Sequence, residues 1–223
     1  MNKMTKEEIR ELILTTIVCL IPVVAGIVLY PVLPEQIATH WDAQGNVNGM
    51  SSKLAGAIIM PASLLVLNLL FPLLLRMDPK YENMDGKLKA ITHWTIPVIE
   101  MICSGATLAS ALGRNVRVEM IIPMVLGVIF VLIGNYLPKT KQSYTMGIKL
   151  PWTLASEENW NRTHRLGGFV WVIGGILIII FSFLPWKLVP FFVIVFLMTI
   201  IPCVYSYLFY LKEKKQNQSE DEG

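Results

Sequence analysis

The chain has 223 residues, of which 54% are hydrophobic and only 16% charged, and its formal net charge is +3. Soluble domains carry roughly 25% charged residues, so this composition excludes an ordinary soluble enzyme and indicates a polytopic membrane protein whose first partner is the lipid bilayer. The small positive balance is spread over separate segments, which excludes a nucleic-acid surface and any direct nucleic-acid partner.

In chain order, the first apolar span is Leu12–Leu33, preceded by Lys3, Lys6 and Arg10. It is longer than the apolar core of a signal peptide, and no small-residue cleavage site follows it, so a retained membrane helix is expected. The segment from Pro34 to Lys53 is too short for a separate domain. Asp42, Gly45, Asn46, Asn48 and Gly49 are turn formers, and Ile37–Asp42 reads as a short extended piece running into a turn. Trp41 suits the headgroup level. His40 and Asp42 are a conceivable ligand pair, but two residues do not complete a metal site.

The second span is Leu54–Leu75, followed by a basic loop holding Arg76, Lys80, Lys87 and Lys89. The third, Ala90–Leu112, contains an acidic residue in mid-membrane, Glu100, seven residues after His93. Positions i and i+7 share a helix face, and intramembrane ionisable groups face a bundle interior. Glu100 is thus a structural hydrogen-bonding group or a functional one. Gly105, Ala109 and Gly113 form a small-residue seam further along, suited to helix packing. The fourth span is Glu119–Leu137. Gly127 and Gly134 in it, and Gly167/Gly168 with Gly174/Gly175 beyond it, repeat every seven residues and read the same way.

The stretch from Gly134 to Gly168 is the longest polar interval. It carries Lys139, Lys141, Lys149, Arg162, Arg165, Trp152, Trp160, His164, Glu157 and Glu158. Pro138 and Pro151 interrupt helix, and Gly147 lets the backbone turn. Ser156 is the expected N-cap of a helix with Glu157 and Glu158 in its first turn. Trp160, His164 and Gly168 lie on one face of that helix. The fifth and sixth spans are Leu166–Trp186 and Leu188–Leu211, and the polar tail, 212–223, is expected to be disordered.

Six spans of about 20 residues define an all-α membrane protein. Fifteen of the nineteen lysines and arginines fall on the side of both termini, the second loop and the fourth loop. Only Lys53, Arg114, Arg117 and Lys187 fall on the other. The positive-inside rule then places both termini and the fourth loop in the cytoplasm. The expected division is a two-span module (1–89) with a short external loop, a two-span linker region (90–137), the polar stretch with the last two spans (138–211), and the tail.

No Gly-x-Ser-x-Gly elbow, His-Glu-x-x-His or phosphate loop is present. Cys19, Cys103 and Cys203 sit in apolar runs and suit buried, inert thiols. Ser156, Glu157, Glu158 and His164 are explained by a helix start and a solvated face as well as by catalysis. No enzyme activity and no cofactor are expected. Trp152 and Trp160 beside Lys149, Arg162 and Arg165 combine the residue types that most often carry interface energy.

Two stretches carry a family resemblance. Leu33–Lys53 (LPEQIATHWDAQGNVNGMSSK) resembles a small domain of unknown function found near the amino terminus of Gram-positive multi-pass proteins. Gly134–Gly168 resembles the signature of the SdpI family, through Gly147-Ile-Lys-Leu-Pro-Trp-Thr-Leu154, Trp160 and Thr163-His164-Arg165. Ser143 stands where the family usually has Asn, and Lys149 where it has Arg, which is not a like-for-like exchange at a bidentate contact. The resemblance implies a membrane immunity protein against a secreted peptide toxin. It also implies a receptor that sequesters a cytoplasmic winged-helix repressor at the membrane. Partner-binding residues would then be Lys149, Pro151, Trp152, Thr153, Trp160, Arg162, His164 and Arg165, with His40, Trp41 and Asp42 facing the toxin. The alternatives are a small proton-coupled transporter or efflux protein lined by His93 and Glu100, and a membrane-embedded enzyme using His164.

Overall fold

The computed structural model describes residues 4–77, 81, 86–144, 146–184 and 188–221. Helix dominates, at 78%, and among the described residues six helical spans are long and apolar enough to cross a membrane. They contain α1 (Lys6–Leu29), α2 (Met60–Leu75, which continues a π-helical segment, Ala55–Ile59), α3 (Gly86–Ala111), α4 (Val118–Tyr136), α6 (Glu157–Phe181) and α7 (Leu188–Asp221), with the short α5 (Pro151–Ala155) before α6. Lys3, Lys80, Lys187 and the expected span end at Trp186 lie outside the described residues.

The all-α expectation is corrected in the first loop. Gln36–Trp41 (β1) pairs antiparallel with Val47–Ser52 (β2) in a two-stranded hairpin. The first strand matches the extended piece expected there. The second, Val-Asn-Gly-Met-Ser-Ser, has no alternation of its own and becomes a strand through pairing. The turn is held by Asp42, whose carboxylate accepts from the backbone N–H of Gln44 (2.9 Å) and Asn46 (2.8 Å) and from the Asn46 amide (3.0 Å). Gly45, at φ +87°, closes it where other residues would be strained. These bonds, the Asn46 side chain first, hold the Asp42 carboxyl below its usual range. A group with a lowered folded-state value adds stability above its unfolded value and loses it as pH falls through the folded one. In the full chain in detergent, the Asp42 carboxyl carbon should titrate below the reference of about 3.9, with the Gln44 and Asn46 amide resonances moving at the same midpoint. A midpoint at or above the reference removes the turn's dependence on that charge.

Two units divide the chain: Met1–Met77 with Lys89–Ile122, and Asp78–Leu88 with Pro123–Gly223. In the first, α1 opens with a capping box. Thr5 Oγ1 accepts from Glu8 N–H (3.2 Å), and Glu8 Oε2 accepts from Thr5 N–H (2.9 Å). Leu33, Ile37, Ala57 and Leu108 form a buried apolar cluster beneath the hairpin. Apolar side chains such as Ile13, Ile17 and Val24 point outward, as lipid-facing residues do. The Gly105–Ala109–Gly113 seam does not pack in this way. A Cβ at Gly105 or Gly113 would meet nothing within 4 Å. Cys103 is exposed, which corrects the expectation of a buried thiol.

In the second unit the heptad glycines do pack. A Cβ on Gly127 would lie 2.7 Å from the Gly175 carbonyl oxygen, and one on Gly134 would lie 3.0 Å from that of Gly168. The absence of side chains lets α4 and α6 meet backbone to backbone. Ile178, Ile194 and Met198 form the core between α6 and α7, closed by the Trp171 Nε1–H bond to the Met198 carbonyl (3.1 Å).

Two boundaries differ from expectation. The helix begun at Ser156 and the fifth span are one helix, α6, which passes through Gly167-Gly168 without a break. Those glycines are close-packing positions, where a Cβ would strike Leu137, Ile148 and Pro138. At the other end, α7 continues to Asp221, so the tail expected to be disordered carries helix. Lys, Glu and Gln are good helix formers, and extending an existing helix avoids the nucleation cost.

Candidate functional site

The polar stretch of the second unit folds as one hydrogen-bonded knot around the first two turns of α6. Ser156 caps the helix, its Oγ accepting from Asn159 N–H (3.1 Å) and donating to Glu213 Oε1 (2.8 Å) on α7. Behind the cap, the uncharged side chains Asn159, Trp160, Thr163 and His164 turn inward and are all 0% exposed. The charged residues Glu157, Glu158, Arg162 and Arg165 turn outward.

Each inward residue has a defined task. Trp160 Nε1–H donates to the Thr140 carbonyl (2.7 Å), tying the start of the loop to the helix. Its ring stacks on His164, centroids 3.9 Å apart and planes 23° from parallel. His164 Nε2 accepts from Ile148 N–H (2.9 Å), while Nδ1 faces the Trp160 carbonyl (2.8 Å). A backbone N–H can only donate and a carbonyl can only accept, so the imidazole is the neutral Nδ1–H tautomer with both nitrogens committed. It is a strut holding the loop, with no lone pair left for base catalysis. Thr153, 0% exposed, accepts from Leu150 N–H (2.9 Å), and its hydroxyl lies 2.8 Å from the Ile148 carbonyl. The Gln142 amide caps α5 by donating to the Thr153 carbonyl (3.0 Å).

The knot is fastened to α7. Asn159 Nδ2–H donates to the Ser206 carbonyl (3.0 Å), and Thr163 donates to Asn159 Oδ1 (3.0 Å). Trp152 Nε1–H donates to Ser206 Oγ (2.7 Å), and its ring packs on Tyr207 and Tyr210 at 5.3 and 6.0 Å. At the centre is Gly147, with φ +111°. A Cβ there would sit 2.5 Å from His164 Nε2 and 2.7 Å from the Trp160 ring.

The eight residues expected to bind a partner therefore separate into two sets. Trp160, His164 and Thr153 have no exposed surface and hold the loop, while Trp152 is half-buried against α7. Lys149, Pro151, Arg162 and Arg165 are exposed. Arg162 pairs with Glu158 (2.8 Å) and lies over the Phe209 ring at 5.0 Å. Glu157, Glu158, Asn161, Arg162, Arg165, Leu166, Phe169 and Tyr205 line a shallow surface groove here. Sequence reasoning missed Thr140, Asn159, Thr163 and Ser206. The available signal was the segregation of uncharged residues at 159, 160, 163 and 164 from charged ones at 157, 158, 162 and 165.

In the hairpin, His40 and Asp42 do not form a pair. His40 Nδ1 lies 2.6 Å from Asn48 Oδ1, and Asp42 is spent on its own turn. His40 is exposed and Trp41 half-buried. Among the described residues no group of three His, Cys, Asp or Glu side chains could hold a metal.

Residues 139–206 match the SdpI/YfhL protein family, and residues 17–65 match a domain of unknown function (DUF1648). The resemblance read from the sequence is thereby confirmed. The first match begins at Lys139, beside the carbonyl that receives Trp160, and ends at Ser206, the anchor of Asn159 and Trp152. The matched segment therefore spans the loop, α5 and α6 of the knot, and stops short of its α7 contacts at Tyr207, Tyr210 and Glu213. The chain is also 28% identical over 205 residues to the immunity protein SdpI of Bacillus subtilis (strain 168), covering 91% of this chain and 97% of that protein. No solved structure gives a significant match.

Proposed function

We propose that this chain is a multi-pass membrane protein that protects its bacterium from a secreted peptide toxin and signals the toxin's presence through the loop of its second unit. The observation that carries this reading is the similarity to an immunity protein over nearly the full length of both chains. The charge asymmetry supports an orientation with both termini and the knot in the cytoplasm and the hairpin outside. His164 is committed on both nitrogens, which favours a binding role for the knot over a catalytic one.

The surface offered to a cytoplasmic repressor is the exposed set Lys149, Pro151, Arg162 and Arg165. The buried tryptophan and histidine keep that surface in shape. Charged residues at a rim set encounter and orientation, and an exposed arginine can carry binding energy outright. Expression in a toxin-sensitive strain tests the whole reading, and absence of protection would overturn it. A paired assay of survival and toxin-dependent reporter induction tests the division of labour. Lys149→Ala and Arg165→Ala should leave membrane abundance and survival near wild type. Together they should lower induction at least about tenfold, the equivalent of roughly 1.4 kcal/mol of docking energy. His40→Ala and Trp41→Ala should lower survival itself. Loss of both outputs in step with abundance for Lys149→Ala and Arg165→Ala would leave the loop a folding element only.

A further inference from the structure

The first unit is built with its polar groups inward. On α1, Glu8, Thr15 and Cys19 are buried, and on α3 the buried face carries His93, Glu100, Ser104 and Thr107. Both sets follow spacings of three, four and seven residues, so each is one stripe along one helix face. From His93 to Thr107 the stripe rises about 21 Å, most of a bilayer's hydrocarbon core. Between them Asn68 of α2 is held by Thr15 and Thr16, 3.4 and 3.5 Å away.

Two members of this file lack the partners that buried polar groups normally have. Glu100, 0% exposed, has no hydrogen-bond partner among the described residues other than the Cys19 thiol, and His93 Nε2, in a residue 4% exposed, has none. Among the described residues, no cation acts on Glu100. From α1 it meets the Cys19 thiol, and the buried residues of α2 are Pro61, Asn68, Pro72 and Leu75, none of which ionises. Around His93 the situation differs, for the charges of Glu8, Glu11, Lys89 and Arg76 all act on it. These belong to the charged end of the unit, where Arg76 pairs with Glu8 (2.5 Å) and Glu11 accepts from Trp94 Nε1–H (2.8 Å). The opposite end of the file runs into the apolar cluster Leu33, Ile37, Ala57 and Leu108 beneath the hairpin.

We propose that Glu100 is a proton-binding site inside the membrane, loaded and unloaded through His93 from the charged end and sealed from the hairpin end. An uncompensated carboxylate in this setting is costly, and a bound proton removes the cost. His93 Nε2, the unpartnered nitrogen, takes a proton from the charged end and becomes imidazolium. The proton then passes along the file to a Glu100 oxygen, restoring the neutral ring. The two residues are about 10 Å apart along the helix, and α1 meets this stretch at Glu11–Trp94 and at Cys19–Glu100, which sets the Thr15 hydroxyl at the level between them as the relay. The apolar cluster stops the proton there, which makes this a one-sided site rather than a leak. Nothing in this inference depends on toxin immunity.

The test is infrared spectroscopy of the full chain in oriented proteoliposomes, with the pH stepped on one side at a time. The protonated carboxyl band should be present in wild type and absent in Glu100→Gln, an isosteric change that keeps the fold. It should respond to pH steps on the side of the α1 N-terminus and not to steps on the hairpin side. His93→Ala should slow that response by about a hundredfold, the low end of what a positioned proton-transfer group contributes. Three results would overturn the inference: a spectrum unchanged by Glu100→Gln, a band indifferent to pH on both sides, or an equal response from either side. An unchanged rate in His93→Ala would remove His93 from the route.

Discussion

Gly147→Ala should dismantle the knot while leaving the first unit intact. At φ +111° the backbone of residue 147 is where a Cβ is strained whatever the surrounding space, at about 1–3 kcal/mol. Here the space is also taken. The added methyl would lie 2.5 Å from His164 Nε2, the atom that accepts from Ile148, and 2.7 Å from the stacked Trp160 ring. Neither ring can retreat, since Trp160 is pinned to the Thr140 carbonyl and His164 to two backbone groups. Freeing them leaves buried donors and acceptors unpaired at about 1–3 kcal/mol each. An overall cost of about 3 kcal/mol should lower the apparent melting temperature in detergent by roughly 6–12 °C. Proteolytic cleavage between Lys139 and Lys149 should become faster. Gly86→Ala, where nothing lies within 4 Å, is the matched control. A Gly147→Ala protein with wild-type melting and cleavage would show that the loop tolerates a different backbone and that the knot is not its determinant.

Gly134→Val should separate α4 from α6. The obstacles are backbone atoms and a ring stem, with Val172 N and Trp171 Cβ both 2.8 Å from the new Cβ. Backbone cannot rotate out of the way as a long side chain can, so the helices must move apart. Overpacking of this kind costs about 1–3 kcal/mol and lowers the yield of monodisperse protein accordingly. Gly105→Val on α3 should be neutral, because that glycine faces open space. Size-exclusion chromatography of the two variants, purified in parallel, separates the cases. Equal behaviour would mean that the fourth and sixth helical elements do not depend on the glycine seam for their approach.

Sequence alone could distinguish neither pair of glycines. Gly105–Ala109–Gly113 repeats every four residues and Gly127/Gly134 every seven, both of which mark one helix face, and only the second set meets a neighbouring backbone. The spans themselves were legible because a bilayer imposes a length and a composition on any helix that crosses it. The Ser156 N-cap was legible because a hydroxyl before two glutamates matches a chemical need of helix starts. The continuity of α6 was not. Gly167-Gly168 carries the residue type that also ends helices, and what keeps it helical is the close approach of Leu137, Ile148 and Pro138 from elsewhere in the chain. The knot was found as a stretch but misread in orientation. Tryptophan and histidine suit a partner interface and a buried strut equally well, and only the charges around them, at 157, 158, 162 and 165, mark which face is outward. The hairpin was half legible, since Ile37–Trp41 has strand character and Val47–Ser52 acquires it by pairing.

The unbroken course of α6 from Ser156 into the bilayer also fixes what lengths of chain can be exchanged. Knot and membrane span share one helical phase, so one inserted residue between Trp160 and Gly175 would turn everything beyond it by about 100° and advance it about 1.5 Å. Asn159 would still find Ser206 while Gly175 lost Gly127, or the reverse. Outward positions such as Arg165 and Phe169 can vary in identity, but the segment cannot vary in residue number. The described non-helical residues 140–144 and 146–150 lie ahead of the point where the phase is set, so a change of length there does not rotate the span.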